Sequence, residues 1–135
     1  MCIGGYAVNF YGFHRVTEDM DIWIAPTNEN KKNSLDTIHG MGYSVSEIES
    51  IKNEDFTLPF ICSLGTLPHV IDILTFVHEK ISFDEAEKSM IIFKLSSEID
   101  LYMAPYEFLK DIKLRSGRPK DLWDVARLEE LRNNR

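Results

Sequence analysis

Apolar positions recur along this chain at two periods, and the switches between them predict its elements. Period two comes first: Met20, Ile22 and Ile24 alternate with Asp21 and Trp23, and Pro26 follows, which predicts a strand over residues 20–25. Trp23 then shares a face with Asp19 and Asp21, where packing against a helix is the expectation for so large a ring. After Pro68 the run HVIDILTFV repeats the pattern, with Val70, Asp72 and Leu74 on one face and Ile71, Ile73 and Thr75 on the other. Strand-like pieces in residues 56–67 are interrupted by Pro59 and Gly65. Residues 89–95 and 98–103 read as a hairpin turning at Ser96 and Ser97, and residues 1–3 as the end of a further strand.

Helical spacing fills the intervals. Residues 6–11 make one or two turns, stopped by Gly12. Residues 28–41 carry Leu35, Ile38 and Met41 as a thin stripe, with Thr27 or Asn28 as cap and Glu29 in the first turn. Val45, Ile48 and Ile51 mark a short helix within residues 43–54. Ser82, followed by Glu85, has the spacing of a capping box ahead of residues 83–88. Phe108, Leu109 and Ile112 give an apolar side to a helix ending at Gly117, with Lys110 and Lys113 on the polar side. A last helix starts at Pro119 and buries Leu122, Val125, Ala126, Leu128 and Leu131. The sum is an α+β fold with a mixed central sheet packed with helices and closed by a C-terminal helical pair.

Composition narrows the class. A chain of 135 residues forms one domain with a two-layer core. No apolar run approaches the roughly 20 residues of a membrane span, and the N-terminus has no secretory pattern. Cys2 and Cys62 make neither a disulfide framework nor a zinc pattern, so a reduced, cytoplasmic setting is expected. His14, His39, His69 and His78 lack ligand spacing and read as scattered loop or surface residues. A net charge of -7 opposes broad adhesion to nucleic acid. It leaves room for a small nucleotide arriving with its metal, or for an RNA end.

Candidate chemistry concentrates in residues 4–26, GGYAVNFYGFHRVTEDMDIWIAP. Asp19 and Asp21, one residue apart on a strand, point to the same side and repel each other, so they require a cation, a shared proton or a basic partner. Asp72, the single charge inside an apolar strand, is the natural third carboxylate. Gly4 and Gly5 precede a short helix, where bare amides favour an anion such as phosphate. Either motif alone is common in turns; their adjacency suits a metal–triphosphate complex. Arg15 balances the Asp pair, holds phosphate, or makes an ordinary loop salt bridge, and Thr17 supports the loop that presents Asp19. Lys113, Arg115, Arg118 and Lys120 form the compact basic group; they neutralise a phosphate tail or pair with Asp121 and Asp124.

GGYAVNFYG, RVTEDMD, IWI, VIDILT and a late K-x-x-x-x-RPKDLWD, in this order, resemble the minimal nucleotidyltransferases of the DNA polymerase beta-like superfamily, in the group of abortive-infection and toxin-type domains. The resemblance implies one nucleotidyltransferase-like two-layer domain over residues 1–135, abbreviated at its N-terminus, where a second copy could cover an exposed strand edge. It implies Mg2+ or Mn2+ on Asp19, Asp21 and Asp72. Asp72 binds metal or takes the proton of the incoming hydroxyl. Gly4, Gly5, Arg15, Thr17, Lys113 and Arg118 lie around the nucleotide, while the roles of Asp121 and Asp124 are less defined. The implied reaction is transfer of a nucleoside monophosphate from an NTP to an RNA end, a protein side chain or a small molecule. A homodimer and a cognate antitoxin are the implied protein partners, with no membrane. Trp23, Tyr6 or loop backbone would contact the base. Two other readings remain, a catalytically silent interaction or antitoxin-like module and a metal-dependent phosphohydrolase.

Overall fold

The computed structural model describes residues 1–134. In chain order these form α1 (Gly4–Phe10), β1 (Asp19–Trp23), α2 (Asn28–Gly40), α3 (Val45–Lys52), β2 (Ile61–Thr66), β3 (His69–Leu74), α4 (Phe83–Glu87), β4 (Ile91–Lys94), β5 (Asp100–Met103), α5 (Tyr106–Ser116) and α6 (Pro119–Asn133). The α+β class and the C-terminal helical pair are as the periodicity predicts. β1 and β3 run parallel, β2 lies antiparallel on the far side of β3, and β4 with β5 makes a separate hairpin. No described helix is long and apolar enough to cross a membrane.

Residues 1–3 join the two sheets. Cys2 bridges both Ile22 and Met103. Its amide donates to the Tyr102 carbonyl at 2.6 Å, while Trp23 N donates to Met1 O at 2.8 Å and Ile3 N to Asp21 O at 3.0 Å. The short extended piece thus satisfies backbone groups on β1 and β5 at once.

Alternation along the strands divides the core. Ile71 and Ile73 pack with Ile38, Ile51 and Phe56 beneath α2 and α3, whereas Trp23 and Leu74 pack with Ile3, Ile81 and Ala86. Trp23 meets the Phe83 ring edge to face at 5.1 Å, which makes it a core residue. A third cluster, with Val8, Met103, Leu109 and Leu128, seats α1 on the helical pair.

Some helix ends follow local capping chemistry, whereas α1, α4, α5 and α6 have no side-chain N-cap bond. Thr27 accepts from Asn30 N to cap α2, and Ser44 with Glu47 forms the capping box of α3. Gly117 adopts φ +64° to terminate α5, a conformation glycine reaches without strain. Ser82 sits at the N-cap of α4 but makes no capping bond, because Glu85 pairs with Lys88 instead. Periodicity also overstates some stripes. Met41, Val45, Leu122, Ala126 and Leu131 are exposed; of the α6 stripe Val125 and Leu128 are buried as expected, and Asp121 and Asp124 are buried with them. Lys113, expected on the polar side of α5, is buried as well. The helical pair turns a charged seam inward, and that seam belongs to the site described below.

Phe56 is fully buried, stacked on Phe60 at 4.5 Å under the β2–β3 hairpin. Phe56→Ala is expected to lower unfolding free energy by about 3–5 kcal/mol. Val45→Ala, on an exposed position, should stay within about 0.5 kcal/mol of the parent in the same urea titration.

Candidate functional site

Strand register brings the carboxylates together. Parallel pairing sets Asp21 opposite Asp72 and Asp19 opposite Val70, and the period of two keeps the three acids on one face. One oxygen from each of Asp19, Asp21 and Asp72 lies within 4.8 Å of the others. Asp72 Oδ1 is buried and has no hydrogen-bond partner among the described residues. A buried carboxylate oxygen without a donor is costly. Three hard oxygen ligands converging on that atom fit a divalent cation such as Mg2+ or Mn2+.

Both glycines predicted at this site stand hard against it. Gly4 has φ +63°, and a Cβ there would lie 1.7 Å from Asp21 Oδ2. A Cβ on Gly5 would lie 2.2 Å from Thr17 Oγ1. Thr17 donates to the Asp19 carbonyl at 3.3 Å, which fixes the loop leading into β1. Any larger residue at either position would displace an acid or the hydroxyl that supports one.

Gly4, Gly5, Arg15, Thr17 and the three acids line a cavity of about 420 Å³, with Lys113, Arg115, Arg118 and Lys120 also in its wall. Four of these cations are already paired with acids, among them Arg115 with Asp111 at 2.9 Å. Arg15 grips Asp124 through Nε at 2.6 Å and Nη2 at 2.8 Å. Lys113 Nζ donates to Asp121 at 2.7 Å and to Asp124 at 2.8 Å. The ordinary-salt-bridge role of Arg15 and the pairing of Lys113 with Asp121 and Asp124 are therefore what the geometry displays. Arg118 differs: its Nε meets Asp121 at 2.6 Å, yet the side chain is 76% exposed at the cavity rim.

Asp21 and the acids of the helical pair are shifted in opposite directions. Burial, then the charges of Asp19 and Asp72, push the Asp21 carboxyl up to about 6 against the pull of Lys113 and Arg118. Burial also opposes ionisation of Asp121, but hydrogen bonds from Lys113, Ser116 and Arg118 outweigh it and hold that carboxyl at about 2. Asp124 is lowered likewise, as Arg15 and Lys113 overcome its burial.

Of the base contacts expected from sequence, Trp23, Tyr6 or loop backbone, the two side chains do not reach the cavity. Trp23 is buried in the core, and Tyr6 is not part of the lining. An apolar wall formed by Leu74, Phe76, Val77 and Ile112 was not anticipated. Both Leu74 and Phe76 continue the Asp72 face of the alternating run HVIDILTFV, although β3 itself ends at Leu74. No protein-family model and no curated protein match this chain.

Lys113→Met would leave Asp121 and Asp124 short of a buried cation, with an expected loss of about 3–5 kcal/mol in chemical denaturation. The acid site sets a separate pH dependence. Because the folded Asp21 binds its proton more tightly than the unfolded one, its contribution to stability falls as pH rises from about 4 to 6 and is level above that. A divalent cation competes with that proton. Millimolar Mg2+ should therefore raise Tm more at pH 7.5 than at pH 5.5, and Asp21→Asn should abolish the difference. Asp121 titrates lower, so it does not share this window.

Proposed function

We propose that this protein is a nucleotidyltransferase-like two-layer domain that moves a nucleoside monophosphate from an NTP to a hydroxyl acceptor and releases pyrophosphate. The observation that carries this reading is the unpartnered, buried Asp72 Oδ1 within a three-carboxylate cluster that opens on a cavity rimmed by cations. A bound Mg2+ or Mn2+ would supply charge neutralisation and Lewis acidity at the phosphates.

The chain's own residues then divide the work. Asp19, Asp21 and Asp72 would hold the cation. Gly4 and Gly5, whose lack of side chains lets Asp21 and Thr17 pack against the backbone, would keep the first amides of α1 beside the acids, within reach of a metal-bound phosphate. Arg118, exposed at the rim, would draw charge from the leaving pyrophosphate, with Arg115 and Lys120 near it. In the transfer, the acceptor oxygen bonds to the α-phosphorus, the bond from that phosphorus to the bridging oxygen breaks, and the acceptor proton passes to Asp72 or to water. Arg15 and Lys113 act one step back. Their pairs with Asp124 lock the loop before β1 to the helical pair, so the acids and the cationic rim keep their separation.

A second reading, a catalytically silent interaction module, draws on the β4–β5 hairpin, where Ile92, Phe93, Leu95 and Ile99 are all exposed. Incubation with each α-labelled NTP, Mg2+ or Mn2+, total RNA and cell protein separates the two. Label is expected to enter one acceptor class with the parent chain. In Asp21→Asn the transfer should fall at least about 100-fold, the several-kcal/mol scale of metal charge stabilisation, with an unchanged circular dichroism spectrum. A folded protein that labels nothing, or an Asp21→Asn variant with full activity, overturns the enzyme reading.

A further inference from the structure

We propose that Phe76 is the platform on which the nucleotide base stacks, an inference that rests on the nucleotidyl-transfer reading above. The cavity lining changes character along β3 and just past it: Val70 pairs with Asp19 and Asp72 with Asp21, and then come Leu74, which packs in one cluster with Ile112, and Phe76. Phe76 lies four residues after Asp72, past a bend at Thr75, a reach of about 13 Å at most. A metal-bound nucleoside triphosphate presents chemistries in the same order, a polyanion, a sugar and a flat apolar base.

Aromatic character marks this ring out. Phe76 is 43% exposed in the apolar part of the cavity wall, where Ile61 is 63% exposed as well, and an uncovered aromatic face in such a place has water to lose and a ligand to gain. The residue before it is fixed. Thr75 is buried, with Oγ1 donating to Leu58 O at 2.7 Å and accepting from Phe60 N at 3.0 Å. Anchored backbone on this side of the ring limits the freedom lost when a base stacks on it. Every base has a π face, so the platform supplies affinity with little choice among the four bases.

Binding of Mg2+ complexes measured by titration calorimetry tests this directly. The ligands are the four NTPs as non-hydrolysable α,β-methylene analogues, beside inorganic tripolyphosphate, which has the anion without the base. Phe76→Ala and the volume-conserving Phe76→Leu are expected to weaken the analogues roughly tenfold or more, the scale of one lost base–aromatic stack. Both should leave tripolyphosphate binding unchanged, and Phe76→Tyr should restore the analogues. Equal effects on analogues and tripolyphosphate, or none on either, overturn the platform. A parent chain that binds tripolyphosphate as well as any nucleotide overturns the platform while the metal–phosphate reading stands. A parent chain that binds neither overturns both.

Discussion

Like charge held on one sheet face is the constraint from which the rest of the structure follows. The β1–β3 register leaves Asp21 facing Asp72 with Asp19 beside them, and mutual repulsion in a partly buried place would drive these strands apart unless something offsets it. The chain answers the same problem in two ways a short distance apart. Asp121 and Asp124 are neutralised internally by Lys113, Arg15 and Arg118. Among the described residues the strand acids receive no such partner, and one of their oxygens is left bare. A fold selected for stability alone would have paired or removed that group, since buried unsatisfied acceptors are costly. The contrast between a closed cluster and an open one is the physical argument for an external cation.

The closed cluster also explains how the open one keeps its shape. Arg15 and Asp124 stand 109 residues apart in sequence and meet at 2.6 Å. That pair joins the loop feeding β1 to the centre of α6, while Lys113 extends the tie to α5. Removing water from such pairs is expensive, and their net worth to stability is small or negative against an apolar isostere. Their value here is geometric. They fix the distance between a wall of acids and a wall of cations, which an apolar seam of the same volume would hold in place without charge.

Much of this was legible in the sequence, and what was not has an identifiable cause. Period two placed Asp19, Asp21 and Trp23 on one face and made Asp72 the third acid, because alternation on a strand allows no other arrangement. Trp23 lay where packing put it. Helical periodicity failed where charged residues are buried, since the rule counts apolar positions and reads Lys113, Asp121 and Asp124 as solvated. The spacing of Asp121, Asp124, Val125 and Leu128 is nevertheless that of one helix face. Taken together with Lys113, eight residues before Asp121 across a glycine break, it describes two helices meeting along a salt-bridged seam. Arg15 could not be assigned from spacing, because no local pattern encodes a contact across nearly the whole chain.

The junction at residues 1–3 ties site and fold together. Cys2 hydrogen-bonds across to β5, and Ile3 donates to the Asp21 carbonyl, so the backbone arrives at Gly4 already pressed against β1. There is then no volume for a side chain: Gly4 must turn with positive φ beside the Asp21 carboxylate. The same short segment thus closes the sheet and delivers α1 to the acids. Sheet continuity and site geometry are one requirement here, because a shift of this strand by one residue would reverse its faces, and it would also set the Ile3 side chain against the Asp21 carboxylate that fills the space beside Gly4.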